Sequence, residues 1–185
     1  MSIKKIIIGL TLSMLLASGV AIATDFSKGL PADRSGDLKT ALAEWTLLAD
    51  QGNAGAQYNL GVIYANGYGV QENDKTALKW YTKAAEQGNA NAQYTLGTMY
   101  ADGYGVLEND KTAVKWFTLA AEQGDAIAQF NLGNIYNKDE SVPENDKTAL
   151  KSYTKAARQG NADADKKVVD KKAADKKAVD EKAAD

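Results

Sequence analysis

Cysteine and histidine are absent from this chain of 185 residues, and proline occurs only twice. Their absence removes the thiolate nucleophile, the imidazole base and the usual ligands of zinc, haem and iron–sulfur clusters, so we expect no cofactor and no metal site. No disulfide can form, so stability must come from packing. Sixteen glycines with so little proline favour short helices joined by tight turns.

An excess of positive charge is also lacking. Residues 24–164 carry 13 basic and 18 acidic side chains, whereas a nucleic-acid-binding surface requires a strongly basic face. We therefore expect no nucleic-acid partner. Beyond the first 23 residues, the hydroxyls and carboxylates fall mainly at predicted helix caps and on solvated faces, so we do not expect an enzyme.

The first 23 residues have the three regions of a secretory signal peptide. Two lysines at positions 4 and 5 precede an apolar stretch over residues 6–16, and Ala-Ile-Ala at residues 21–23 provides a small-x-small cleavage pattern. The alternative is an uncleaved membrane anchor, because residues 6–23 approach the lower length limit for crossing a bilayer. We expect cleavage after Ala23, a periplasmic or secreted mature protein, and no stable membrane insertion after cleavage.

An internal repeat of 36 residues dominates the sequence. Residues 89–124 match residues 53–88 at 27 of 36 positions, and residues 125–160 match them at 24 of 36. We assign residues 24–52 to an amino-terminal capping unit. Residues 161–185 form a low-complexity tail rich in Lys, Ala and Asp.

Each copy predicts two helices. Both begin after an N-cap whose side-chain oxygen accepts a hydrogen bond from the first turn, and glycines end them. The predicted caps are Asn53, Asn89 and Asp125 for the first helices and Asn73, Asn109 and Asn145 for the second. The predicted terminal glycines are Gly67 and Gly103 for the first helices and Gly88, Gly124 and Gly160, as C-caps, for the second.

Apolar spacing identifies the faces that we expect to be buried. In the first copy they are Ala77, Trp80, Tyr81, Ala84 and Ala85 on the second helix, and Ala56, Leu60, Gly61, Ile63 and Tyr64 on the first. Lys79 and Thr82 should face water. Gly61, Gly97 and Gly133 lie inside helices, where glycine costs about 1 kcal/mol relative to alanine, so we expect the partner helix to approach closely there.

The pattern AQYxLGxxYxxGYGVxxND recurs every 36 residues, followed by W-Y/F and AAEQG positions in the second helix. It resembles the Sel1-like repeat, a relative of the tetratricopeptide repeat, over about residues 26–164. The resemblance implies an all-α fold: an α-solenoid of helix–turn–helix repeats, wound into a right-handed superhelix, whose concave surface binds a protein or peptide. The chain departs from this pattern at Pro31 and in the third copy, where Asp139, Ser141 and Ser152 replace two glycines and a tryptophan.

Alignment of the LG-x2-Y core with tetratricopeptide helices places three residues of each copy on the concave side. They are Tyr58, Val62 and Asn66, then Tyr94, Thr98 and Asp102, then Phe130, Asn134 and Lys138. We interpret them as a candidate protein-binding groove; the alternative is that the aromatic residues merely pack between repeats. Val62, Thr98 and Asn134 differ between copies, so we expect them to be exposed and to set specificity.

The tail repeats in fives from Asp165 onward, with seven lysines against six acidic residues. A period of five makes no apolar stripe on a helix of 3.6 residues per turn, so we expect the tail not to dock as an amphipathic element. We interpret it as a solvated helix or spacer, with contact to acidic envelope polymers as the alternative. The loop over residues 137–144 is either a partner-specific loop or a drifted terminal segment.

These features predict a non-enzymatic protein–protein interaction adaptor or scaffold in the cell envelope. One alternative is a binder or modulator of peptidoglycan or of peptidoglycan-active enzymes. Another is a hydrolase acting on β-lactams or the cell wall. Cysteine-rich members of the resembled family suggest that activity, but their disulfides are absent here.

The leader makes a testable prediction. Because a small-x-small pattern ends at Ala23, the protein purified from the soluble envelope or extracellular fraction of its host should begin at Thr24. Amino-terminal sequencing or intact mass measures this. A terminus at Met1, or retention in the washed membrane fraction, contradicts cleavage.

Overall fold

The computed structural model describes residues 35–138 and 146–184, and every regular element in these ranges is an α-helix. The helices are α1 (Ser35–Asp50), α2 (Ala54–Asn66), α3 (Asp74–Glu86), α4 (Ala90–Asp102), α5 (Asp110–Glu122), α6 (Ala126–Lys138), α7 (Asp146–Arg158) and α8 (Ala162–Ala184). The leader, Pro31, most of the third-copy loop, the predicted cap Asn145 and Asp185 lie outside the described residues. The two helices predicted for each copy are α2–α3, α4–α5 and α6–α7, and the all-α solenoid is confirmed.

Polar caps fix where the helices begin. Asn53 Oδ1 accepts a hydrogen bond from the amide of Ala56 at 2.9 Å, and Asn73 Oδ1 accepts one from the amide of Thr76 at 2.9 Å. Each bond satisfies an amide that the first turn leaves without an intrahelical partner. The same bond is made by Asn89, Asn109 and Asp125. The predicted caps in the described ranges are therefore confirmed.

The second helices end one position earlier than expected. The C-cap of α3 is Gln87, and Gly88 follows it with a φ of +86° and donates its amide to the Ala85 carbonyl at 3.0 Å. The assignment of Gly88 as the cap was wrong, because the left-handed residue is the one that turns the chain after the cap. The turn then delivers the chain to Asn89, the next N-cap.

Neighbouring helices in sequence are the ones that pack together. The most extensive contacts are within a repeat, between α2 and α3, α4 and α5, and α6 and α7. Each second helix also packs on the first helix that follows it, and α1 packs on α2 in the same way. Stability in such an array comes from the repeats and from the interfaces between neighbours.

The buried faces follow the predicted apolar stripes closely. The buried members are Ala77, Tyr81, Ala84 and Ala85 on α3 and Ala56, Leu60, Gly61 and Ile63 on α2. Trp80 and Tyr64 are only half-buried, and Lys83 Nζ lies 4.3 Å from the centroid of the Trp80 ring. Lys79 is exposed as expected, whereas Thr82 is half-buried and its hydroxyl donates to the Leu78 carbonyl at 2.8 Å. The buried stripe of α3 therefore extends to Thr82, beyond the apolar residues by which it was predicted.

An interior glycine of each first helix lies against an aromatic ring of the second helix. The pairs are Gly61 with Tyr81, Gly97 with Phe117, and Gly133 with Tyr153. A Cβ atom added at Gly97 would lie 2.5 Å from Phe117 Cδ1, closer than real side-chain contacts come. The predicted close approach is confirmed, and the group that approaches is an aromatic ring.

A buried glutamine that the sequence did not single out joins adjacent repeats. Gln93 Nε2 donates to the Ala85 carbonyl at 3.0 Å, and Gln93 Oε1 accepts from Gln123 Nε2 at 2.7 Å. The side chain thereby ties α4 to the end of α3 and to the residue that caps α5. The equivalents Gln57 and Gln129 make the same two bonds. Such a satisfied buried amide favours one register between repeats.

The beginning of the tail docks on α7 as the amino-terminal part of α8. Ala164 is fully buried and Val168 is only 8% exposed, whereas the side chains of residues 172–177 are exposed. The prediction that the tail does not dock was therefore wrong. Ala164 and Val168 keep the 36-residue register of Ala56 and Leu60, so these turns are the first helix of a fourth copy.

Glycine packing gives a stability prediction. Gly97→Ala should lower the free energy of unfolding by about 1–3 kcal/mol, because the added methyl group must displace the Phe117 ring, even though alanine is the better helix former by about 1 kcal/mol. Gly55→Ala is the control, because a Cβ there meets only Asn53 Oδ1 at 3.3 Å. Urea denaturation measures both, and an unchanged midpoint for Gly97→Ala contradicts the close packing.

The docking of the tail gives a second stability prediction, which compares substitutions at two adjacent valines. Val168→Asp should lower the free energy of unfolding by about 2 kcal/mol or more, because it places a carboxylate in an apolar interface. Val169→Asp, at a position that is 59% exposed, should stay within about 0.5 kcal/mol. Thermal melting compares the two. Equal melting temperatures mean that α8 does not dock in solution.

Candidate functional site at the junction of the first two repeats

The aromatic residues of the predicted groove are half-buried, and each pairs with a ring of the second helix in its own repeat. The centroid separations are 5.7 Å for Tyr58 and Tyr81, 5.9 Å for Tyr94 and Phe117, and 5.8 Å for Phe130 and Tyr153. Tilted pairs at such separations contribute about 0.5–1.5 kcal/mol beyond their burial. These rings are held mainly within a repeat, and their remaining surface is accessible.

The variable positions are half-buried rather than exposed. Asn134 Oδ1 accepts a hydrogen bond from the Tyr153 hydroxyl at 3.0 Å, so this amide is engaged within its own repeat. Thr98 Oγ1 donates to the Tyr94 carbonyl at 3.3 Å. Val62, at the same position, offers neither donor nor acceptor. The expectation of full exposure was wrong, because these residues lie beside the aromatic pairs.

The last predicted position of each copy lies at the end of a first helix. Asn66 and Asp102 are exposed, and Asn66 Nδ2 donates to the Val62 carbonyl at 2.8 Å. Lys138 is the last residue of α6, and its side chain lies outside the described residues. Each of them stands four positions, about one helical turn, after the variable residue of its own copy.

A cavity of about 380 Å³ opens between the first and second repeats. Tyr94 and Thr98 are the two predicted groove residues that line it. The complete wall consists of Ala65, Glu72, Asp74, Tyr81, Tyr94, Thr95, Thr98, Met99 and Tyr104. The cavity therefore combines both helices of the first repeat with the first helix and the loop of the second.

The loop of the second repeat brings Tyr104 to this cavity. Gly103 and Gly105, on either side of it, have φ values of +73° and +68°, a conformation that glycine adopts without steric cost. A Cβ added at Gly105 would lie 2.5 Å from Asp74 Cβ, so the loop packs against the first turn of α3. Tyr104 is 63% exposed. The Gly-Tyr-Gly segment of the repeat pattern is the sequence feature that indicates this loop.

Tyr81 is the most deeply buried polar group in the cavity wall. Its side chain is only 4% exposed. Burial, reinforced by the nearby Tyr58 and Asp74, raises the pKa of Tyr81 well above its ordinary value. The hydroxyl is therefore neutral at physiological pH and can both donate and accept hydrogen bonds. Burial also raises the pKa of Tyr153.

The hydroxyl of Tyr81 forms no hydrogen bond with any residue of ranges 35–138 and 146–184. Tyr153, its equivalent in the third repeat, donates to Asn134. The residue equivalent to Asn134 in the first repeat is Val62, which cannot accept a hydrogen bond. The Tyr81 hydroxyl thus remains available to a group that enters the cavity.

The part of the chain that the structure describes contains no group of three or more His, Cys, Asp or Glu side chains that could hold a metal ion. Nor does it contain a helix long and apolar enough to cross a bilayer. The Ser-x-x-Lys spacing found in serine acylases occurs at Ser152 and Lys155 of α7, and neither residue lines the cavity.

The family model of the Sel1 repeat matches residues 54–89, 90–125 and 126–161, more than half of the chain. The chain belongs to the Sel1 repeat family. The resemblance drawn from the AQYxLGxxY and AAEQG motifs is thereby confirmed. Among curated proteins, no sequence matches this Sel1 repeat protein.

Solved structures of other Sel1 repeat proteins have similar folds. A Sel1 repeat protein from Oxalobacter formigenes is 40% identical, over 70% of this chain and 97% of its own, with a TM-score of 0.64. The c5321 protein, a protective antigen of uropathogenic Escherichia coli strains with an SLR fold, is 31% identical over 80% of this chain, with a TM-score of 0.68. This chain spans only 32% of that antigen. Helicobacter pylori cysteine rich protein B is 22% identical over 72% of this chain and 96% of its own, with a TM-score of 0.55, and shows the fold alone.

Sel1 repeat proteins generally mediate protein–protein interaction, and the family is one of interaction scaffolds rather than of catalysts. A protein-binding scaffold is therefore the functional class to which this Sel1 repeat protein is assigned. Its binding surface and its partner are separate questions, which depend on the residues of this chain rather than on the fold.

Proposed function

We propose that this Sel1 repeat protein is a non-enzymatic adaptor of the cell envelope, which binds a protein or peptide at the cavity between its first two repeats. The cavity of about 380 Å³ carries the proposal, because Tyr94 and Thr98 line it together with residues of the preceding repeat. Ligand sites typically have volumes from about 300 Å³ upward, with mostly apolar walls and a few polar groups. The combination of three tyrosines, a methionine and two carboxylates fits that description.

The sequence before Thr24 supports the location in the envelope. It has the charged start, the apolar stretch and the small-x-small pattern of a secretory signal. A protein exported in this way meets its partners in the periplasm or outside the cell. Peptidoglycan is therefore the competing partner that an experiment must separate from protein.

Photo-cross-linking in the native host tests the surface. A benzophenone side chain in place of Tyr104, which is 63% exposed, should give one discrete adduct. Thr98→Arg in the same protein should abolish the adduct, because the longer side chain fills the cavity. The unfolding free energy of Thr98→Arg should change by no more than about 1 kcal/mol, because Thr98 lies on the cavity wall rather than in the core.

The matched control is Thr118→Arg, which makes the same change on α5 away from the cavity wall and should leave the adduct unchanged. An adduct that protease digests and muramidase does not supports a protein partner. Loss of the adduct on muramidase treatment favours peptidoglycan instead. An adduct that persists in Thr98→Arg places the binding surface elsewhere on the protein.

A further inference from the structure

Among the described residues, those that line the cavity between the first two repeats include two carboxylates and no cationic side chain. Glu72 and Asp74 contribute carboxylates, and they are the charged members of the wall formed by the described residues. Both are exposed, so they stand where an incoming group first meets the cavity. An anionic ligand would be repelled there, and a cationic side chain would be attracted.

Aromatic side chains make up much of the same wall. Tyr81, Tyr94 and Tyr104 line it, while Met99 is 6% exposed and adds an apolar surface. Cations bind over the faces of such rings, and arginine does so more often than lysine. The wall therefore combines two features that recognise one kind of group: carboxylates for its charge and rings for its flat surface.

A third, independent feature is the Tyr81 hydroxyl. Tyr81 as a whole is more than nine-tenths buried and lines the cavity. Its hydroxyl forms no hydrogen bond with the described residues, and because none of their buried side-chain oxygens lacks a partner, the hydroxyl oxygen itself is in contact with solvent. Leaving a hydroxyl unpaired is costly once a ligand excludes water. A ligand that fills this cavity must therefore offer a hydrogen-bonding group to Tyr81.

We propose that this cavity holds an arginine side chain presented by the protein partner. The proposal rests on the proposed function, since it names the chemistry that the partner brings to the same site. A guanidinium group is flat and always charged, and it carries five N–H donors. It can lie on the rings of Tyr94 or Tyr104 and donate to Asp74, Glu72 and the Tyr81 hydroxyl. Lysine offers a compact, strongly hydrated ammonium without a flat face.

The next junction lacks the same combination. The residues 36 positions after Tyr81, Thr98 and Tyr104 are Phe117, Asn134 and Glu140. Phe117 has no hydroxyl, and Asn134 is engaged with Tyr153. Glu140 lies outside the described residues, but its side chain has no ring. Of these two junctions, the one between the first and second repeats therefore has the features of an arginine site in the part of the chain that the structure describes.

Nuclear magnetic resonance titration of the full mature chain tests the assignment. The probe is a blocked pentapeptide of alanines with one central arginine, compared with the same peptide carrying citrulline, which keeps the shape but loses the charge. The arginine peptide should shift the amide signals of Thr98 and Tyr104 saturably, and citrulline should bind about tenfold more weakly or worse. The same pentapeptide with a central lysine should bind more weakly than the arginine peptide.

Matched variants identify the groups responsible. The double variant Glu72→Gln/Asp74→Asn should lose about tenfold in affinity for the arginine peptide, as expected when charge pairing is removed. Glu108→Gln/Asp110→Asn removes the same charges 36 residues later and should bind as wild type does. Tyr81→Phe, which reproduces the residue found at Phe117, should weaken binding severalfold and keep the protein folded.

The arginine assignment is overturned by equal binding of the arginine and citrulline peptides, by equal losses in the two double variants, or by the absence of shifts at millimolar arginine peptide. If Thr98→Arg still abolishes the cross-linked adduct, the proposed function stands and only the arginine assignment fails. If the adduct persists in Thr98→Arg, the partner binds elsewhere on the protein, so the cavity as the binding surface of the proposed function fails and the arginine assignment fails with it. Signals of Thr98 and Tyr104 that move with protein concentration alone show that a second copy occupies the cavity, which also overturns the assignment.

Discussion

The contact between a glycine of each first helix and an aromatic ring of each second helix sets the geometry of the whole array. Any Cβ at Gly61, Gly97 or Gly133 would overlap that ring, so the two helices approach more closely than another residue allows. The same rings also hold Tyr58, Tyr94 and Phe130, at centroid separations from 5.7 to 5.9 Å. One aromatic side chain per repeat therefore fixes the distance between the helices and positions the aromatic residue beside the candidate binding surface. The spacing of the two helices within a repeat and the position of that aromatic residue thus depend on the same contact.

The same contact explains why the repeat pattern stops at α8. Val168 occupies the position of Leu132 and is buried, but Val169 stands 36 residues after Gly133 and is 59% exposed. A second helix that brought an aromatic ring to this face would collide with the branched side chain of Val169. Helix α8 can therefore pack on α7 but cannot accept the second helix of a fourth repeat.

Features that recur every 36 residues could be predicted from the sequence, because they depend on residues within a single copy. The Asn53 cap and the close approach at Gly97 are of this kind. Gln93 was missed, because a polar residue between apolar ones is expected to face water, and only its bonds across the repeat interface explain its burial. The cavity was not predictable, since its wall combines Asp74 of one repeat with Tyr104 of the next through a loop held by Gly105. In the tail, the five-residue period concealed the fact that Val168 still occupies the position of Leu60 in the 36-residue repeat.

Val62, Thr98 and Asn134, the positions that vary between copies, affect the candidate site through the ring of the second helix beside them. They are half-buried beside the aromatic pairs, so they act on the second-helix ring as well as on any partner. Asn134 accepts the hydrogen bond of the Tyr153 hydroxyl and keeps it within the repeat. Val62 has no acceptor, so the hydroxyl of Tyr81 is left for the cavity. In the second repeat, Phe117 has no hydroxyl for Thr98 to engage. The three copies have the same arrangement of helices but differ at one hydroxyl. It is unpaired in the first copy (Tyr81), absent in the second (Phe117) and hydrogen-bonded in the third (Tyr153). This difference makes one junction of the solenoid chemically unlike the next.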